Sequence, residues 1–223
     1  MTAAVVRTKN DVLAMKNILH FHSVKLDLYK TQNSDQDICR IIEQAEGLAL
    51  VALNLKVRSF SGTGLGRLLT TSGSILKELD LGQTDISGAA LAGVQLPKLE
   101  MLNLVGCRNL TDTGVHELLT SSGSILKELD LHRTKISDAA LAGVQLPKLE
   151  VLNIGYCSNL TDTGVQELLT TSGSILKELD LQETNISDAA LVGVQLPKLE
   201  VLNLDDCSNL TDTGVQELLT SSG

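Results

Sequence analysis

The chain has 223 residues, of which 43% are apolar but only 2% aromatic, with no tryptophan, a formal net charge of −9 and a pI near 4.9. A core must therefore be assembled from Leu, Ile, Val and Ala, and the charge argues against nucleic acid and anionic membranes, which are held through clustered Lys and Arg. No run approaches the roughly 18 apolar residues of a spanning helix, and the start lacks the apolar core of a secretion signal. A cytoplasmic protein is expected, or a secreted one if a leader has been removed.

In chain order, the stretch NDVLAMKNILHF from Asn10 reads as an amphipathic helix. Residues 1–22 are accordingly expected to form an N-terminal helical cap over an otherwise open core end. VKLDLYKTQNSDQDICRII at 24–42 reads as a strand–turn–helix coil with Leu26 and Leu28 inward. GLALVALNLKVRSFSGTGLGRLLTT at 47–71 reads as a second coil, with Leu50, Leu53 and Leu55 in the core.

From Leu76 the chain repeats with a period of fifty residues. Residues 76–125 and 126–175 are identical at 39 of 50 positions, and a third copy begins at Leu176. Such a period marks a stacked-repeat protein. Each copy divides into a coil of 23 residues, LKELDLHRTKISDAALAGVQLPK at 126–148, and one of 27, LEVLNIGYCSNLTDTGVQELLTTSGSI at 149–175. Numbering each coil from its first leucine, apolar residues at positions 1, 4 and 6 give a short strand with one buried face. A turn and a helix follow. Thr161 is the expected N-cap of the longer coil's helix, with Asp162 in its first turn. Ser137 caps the shorter coil's helix, which buries Ala140, Leu141 and Val144. Pro97, Pro147 and Pro197 end each short coil.

Cys107, Cys157 and Cys207 recur two coils apart, roughly 10 Å, beyond the about 7 Å between Cα atoms that a disulfide spans. They are expected as free, buried thiols. The Asn-Leu-Thr triplets at Asn109, Asn159 and Asn209, and Asn185-Ile186-Ser187, are explained by turn, core and cap roles in place of glycosylation. The chain ends at Ser222-Gly223 without a second cap. Leu202, Leu204, Leu210, Val215 and Leu218 are thus expected to support end-to-end association, a homodimer through the last coil.

Patterns such as LEVLNLDDCSNLTDTGVQELL and LKELDLHRTKISDAAL resemble leucine-rich repeats, the longer coil resembling the cysteine-containing subclass found in F-box leucine-rich-repeat proteins. The subclass's cysteine falls on Cys107, Cys157 and Cys207, and its Thr-Asp pair on Thr111-Asp112, Thr161-Asp162 and Thr211-Asp212. Thr84, Thr134 and Thr184 stand where the family more often has Asn or Cys. The resemblance implies an α/β fold: a right-handed horseshoe solenoid over 23–223, about eight coils with a concave parallel β-sheet and helices on the convex side.

Positions 3 and 5 of the short coils are always Glu and Asp, giving acidic rows at Glu78-Asp80, Glu128-Asp130 and Glu178-Asp180. Positions 7 and 8 vary most: Gly82-Gln83, Val105-Gly106, His132-Arg133, Gly155-Tyr156, Gln182-Glu183 and Asp205-Asp206. A constant scaffold carrying a variable stripe is the pattern of a binding surface. Tyr and Arg are frequent interface anchors. The expected contact set is Tyr156, Arg133, His132, Gln182, Glu183, Asp205 and Asp206, with Glu128 and Asp130 steering a basic protein partner.

Adaptor or substrate receptor is the role implied by the resemblance, and an innate-immune receptor built of leucine-rich repeats alone is the alternative. A hydrolase using His132 is the remote one, since no nucleophile elbow or phosphate loop accompanies it. No catalytic residue, metal or cofactor is expected.

Overall fold

The computed structural model describes residues 4–8, 12, 24–29, 34–56 and 60–221. Among the described residues, nine parallel strands form one sheet in strict chain order. They are β1 (Ala4–Val6), β2 (Val24–Asp27), β3 (Leu50–Asn54), β4 (Glu78–Asp80), β5 (Met101–Asn103), β6 (Glu128–Asp130), β7 (Val151–Asn153), β8 (Glu178–Asp180) and β9 (Val201–Asn203). Helices α1 (Asp35–Ala45), α2 (Leu65–Ser72), α3 (Asp112–Ser122), α4 (Asp162–Ser172) and α5 (Asp212–Ser221) follow β2, β3, β5, β7 and β9. Each parallel step needs a crossover; here the coil itself is that crossover, so every strand pairs with its predecessor and successor.

Register is held by the central leucine of each strand. Leu79, Leu102, Leu129, Leu152, Leu179 and Leu202 face one another down the sheet. Behind them Leu81, Leu104, Leu131, Ile154 and Leu181 are fully buried. Burial of this one aliphatic column, at about 25 cal/mol per Å2 of apolar surface, drives the stacking. No single coil could bury its own apolar face.

The structure departs from the expected cap. Strand β1 lies inside residues 1–22 and pairs with β2, Ala4 opposite Val24 and Val6 opposite Leu26, so the sheet starts earlier than the helical pattern implied. The open edge of β2 accepts a short Ala-Val-Val strand because pairing satisfies its backbone groups. Of the expected helix only Val12 is described, helical and fully buried; the rest lies outside the described residues.

The short coils also differ. Their convex segment is a single 3-10 turn at Gly88–Ala90, Asp138–Ala140 or Asp188–Ala190, while each 27-residue coil carries a full helix. Gly93, Gly143 and Gly193, at φ of 69°, 69° and 75°, turn the chain into the left-handed region before a second helical turn forms. Leu141 and Val144 are still buried, reached through the turn.

Two side-chain ladders tie the coils together. Cys107, Cys157 and Cys207 each direct Sγ–H to the carbonyl of Leu81, Leu131 or Leu181 in the preceding coil, at 3.0, 3.1 and 3.0 Å. Thr84, Thr134 and Thr184 donate to those same carbonyls and lie against the same sulfurs, which accounts for threonine at that position. Desolvation raises the Cys107 and Cys157 thiols above the ordinary range. All four cysteines are free.

On the convex side Ser137 and Ser187 donate twice to Asp112 and Asp162 of the preceding helix. The Thr161 hydroxyl does not cap its own helix. It donates, with the Thr161 amide, to Asp138 at 2.5 and 2.9 Å. Thr111 does cap its helix, accepting from the Gly114 amide, and Thr211 accepts from the Gly214 amide while also donating to Asp188.

Candidate functional site: the ends of the strands

Position 5 of every coil from β2 to β9 is Asp or Asn, and each does the same work. Asp27, Asn54, Asp80, Asn103, Asp130, Asn153, Asp180 and Asn203 accept, through Oδ1, the backbone N–H of position 7 at 2.9–3.2 Å. This Asx turn stops the strand and swings the chain. Position 8 then enters the left-handed region: Gln83, Gly106, Arg133, Tyr156, Glu183 and Asp206 have φ of 60°, 68°, 58°, 58°, 49° and 57°. Residues other than glycine rarely adopt it, at a cost of about 1 kcal/mol each. Their N–H groups continue the ladder, from Gln83 to Val105, Gly106 to His132, Arg133 to Gly155, Tyr156 to Gln182 and Glu183 to Asp205. The neighbouring coils therefore over-determine the strained conformation, and the side chains leave the sheet in one row.

Along that row the structure brings His132, Arg133, Tyr156 and Glu183 together. The His132 and Tyr156 rings meet edge-on with centroids 4.9 Å apart, and the Arg133 guanidinium lies over the Tyr156 ring at 4.4 Å. A hydrogen bond from the tyrosine hydroxyl to Glu183 raises its pKa, opposed by Arg133. Tyr156 is half-buried as a result, not the fully exposed side chain its position suggested. Such aromatic and cation–π contacts are worth about 0.5–1.5 kcal/mol each. They hold the cluster in one arrangement before any ligand arrives. His132 Nδ1 is buried without a hydrogen-bond partner, and a Cβ on Gly155 would stand 3.0 Å from it. Glycine at 155 is what admits the imidazole.

The remaining expected residues separate into two groups. Glu183, Asp205 and Asp206 are exposed at the far end of the row and Gln182 is half-buried beside them. Glu128 is exposed on the sheet face, but Asp130 is a structural turn residue, and desolvation raises its carboxyl pKa. Asp130 is therefore corrected from steering charge to strand terminator. In the last coil Leu202, Leu204, Leu210 and Val215 are half-buried, whereas Leu218 is only 1% exposed and is unavailable to a partner. It packs back on the core, and Leu219 and Val201 are the exposed apolar residues there.

The sequence reading placed Gln83 in the variable stripe but missed Arg108 and Asp85. Together with Val105, Gly106 and Arg133 they line a groove of about 470 Å3 at the same strand ends. These residues fall on five repeat positions, Arg133 being the equivalent of Gln83, and all five differ between the first two fifty-residue copies, a signal present in the sequence but not joined into one surface without the fold. Among the described residues no cluster of His, Cys, Asp or Glu could hold a metal ion, and no helix is long and apolar enough to cross a membrane.

A one-coil-per-strand parallel sheet, with inward leucines and an Asx turn at each strand end, defines a leucine-rich-repeat protein. The family model described as leucine rich repeat matches residues 145–169 and 195–219. No curated protein sequence matches the chain. Among solved structures, the chain is similar to one from the yeast Rad7–Elc1 complex, with 18% identity and a TM-score of 0.59 over 99% of this chain and 67% of that one. The plant peptide hormone receptor RGFR1 in complex with RGF2 also matches, at 18% identity and a TM-score of 0.45 over 91% of this chain and 34% of the receptor.

Proposed function

We propose that the chain is a protein-recognition module of adaptor or substrate-receptor type, binding through the strand-end row centred on Tyr156, Arg133 and His132. The observation that carries this reading is the ladder of left-handed residues. The left-handed conformation is maintained at six consecutive coils, in five of them by a residue other than glycine, and the side chains it presents are among those that vary most between copies. Charge changes sign along the row, from Arg133 through Tyr156 to Glu183 and Asp206. At about 4.8 Å per strand the ends lie roughly 14 Å apart, matched by an extended partner segment of about four or five residues. Its basic end sits over Glu183, Asp205 and Asp206, while Glu128 adds acidic charge to the sheet face of the Arg133 coil. The yeast structure of similar fold is itself from a two-protein complex, in keeping with an adaptor role.

A second reading, an innate-immune receptor, is favoured by the clustering of differences between copies at the strand ends. The deciding experiment compares proteins retained by the immobilised native chain and by Tyr156→Asn, since asparagine tolerates the left-handed conformation. Proteins held by the native chain and released by the variant are expected. Ubiquitin-ligase components among them favour the adaptor, and microbial surface components the receptor. Identical retention by both proteins rejects the site.

A further inference from the structure

We propose that the groove between Arg108 and Arg133 is a carboxylate-binding subsite that takes acidic side chains of a partner-protein segment. The proposal rests on the recognition reading above and specifies one part of its ligand. Arg108 and Arg133 are both exposed and line the same groove, and neither makes an ion pair among the described residues. Lys77, Lys127 and Lys177, by contrast, are each bound to a glutamate at 2.6–2.7 Å. Arg133 is fixed by its stacking on Tyr156. Arg133 also bonds to the Tyr156 side chain, and its other in-plane N–H groups remain for contact with a carboxylate. Gly106 lines the same groove and carries no side chain to obstruct an approaching ligand. Asp85 is the single acidic lining residue, against two guanidinium groups.

The same groove fifty residues on is lined differently: Arg133 replaces Gln83, Lys135 replaces Asp85 and Gly155 replaces Val105. Tyr156 replaces Gly106, Ser158 replaces Arg108 and Glu183 replaces Arg133; in the third copy Asp206 and Ser208 stand there. The repeats thus differ at the lining of one groove, and only the first copy sets two arginines across an unobstructed glycine. On a chain of net charge −9 a polyanion is repelled almost everywhere else. The volume, about 470 Å3, admits one or two side chains rather than a phosphodiester backbone. Beside it Tyr156 offers an apolar edge to the neighbouring residue of a peptide.

The test uses the full chain and two fluorescein-labelled probes, a hexaglutamate and a hexaglutamine peptide, in fluorescence anisotropy at two ionic strengths. Arg108→Ser and Arg133→Gln are the variants. Serine already occupies the first position in the other two copies, and Gln83 already adopts the left-handed conformation of the second, so folding is not at issue. The native chain is expected to bind hexaglutamate and not hexaglutamine, more weakly at higher salt. Each substitution is expected to weaken binding about tenfold, as loss of a charge-assisted pair does. Absence of hexaglutamate binding, or equal binding by native chain and variants, overturns the proposal. Partner retention lost with Tyr156→Asn but unchanged with Arg108→Ser would leave the recognition surface standing and remove the carboxylate subsite alone.

Discussion

Replacing Gly155 with valine tests whether the row is built of coupled pairs. A Cβ at this position would stand 3.0 Å from His132 Nδ1, 3.1 Å from Asp180 Oδ1 and 3.2 Å from the Gln182 carbonyl oxygen. Two of these neighbours cannot give way. Asp180 is tied to the Gln182 amide and the Asn203 side chain, and the Gln182 carbonyl accepts from Tyr156 N–H at 2.7 Å. The imidazole must therefore move, losing its edge contact with Tyr156, about 0.5–1.5 kcal/mol, on top of an overpacking cost of about 1–3 kcal/mol. Gly155→Val is expected to destabilise by about 2 kcal/mol. The first copy holds valine at this very position, Val105, opposite Gly82 instead of a histidine. His132→Gly combined with Gly155→Val recreates that pairing, so the double variant should be less destabilised than the sum of the singles by about 1–2 kcal/mol. Urea midpoints followed by far-ultraviolet circular dichroism for all four proteins close the cycle. Additivity within about 0.5 kcal/mol would refute the argument that glycine at 155 exists to seat His132.

Asp138→Ala removes the acceptor of two Thr161 hydrogen bonds and should destabilise by about 1–2 kcal/mol, read as a lower urea midpoint; an unchanged midpoint would show that this inter-coil contact carries no stability. A thiol reagent should label Cys39, which is partly accessible, in the native protein, and Cys107, Cys157 and Cys207 only as urea unfolds it; rapid native labelling of all four would contradict the buried ladder. Glu100 joins Lys77 and Lys127 at 2.6 and 2.7 Å, and its hydrogen bonds to Lys127 and then Lys77 lower its pKa from 4.5 to about 2. A folded-state pKa below the unfolded one contributes stability that is present above pH 4.5 and lost as pH falls toward 2. Glu100→Gln should flatten the acid limb of the stability–pH curve in that window, and an unchanged limb would show that the bridge carries none of it.

The leucine column, the free cysteines and the solenoid were legible because they depend on periodicity, and a fifty-residue period written nearly three times leaves little freedom. What escaped depends on contacts between coils. Nothing local distinguishes Asp130 from Glu128 as charges. Only the turn geometry shows that the shorter side chain reaches its own backbone two residues on, while the longer one remains in solvent. The helix expected after Ser137 failed for a related reason: its apolar spacing is right, but a left-handed glycine cuts it to one turn. Arg108 is the clearest case. It lies beside the cysteine, outside positions 7 and 8, and read along the chain it is one substitution among eleven. Stacking coils beside each other places it across from Arg133, a residue of the next coil, and converts scattered differences into the lining of one groove. Variation that looks diffuse along a repeat sequence is therefore best mapped between adjacent coils, since the surface a partner meets is assembled across the stack.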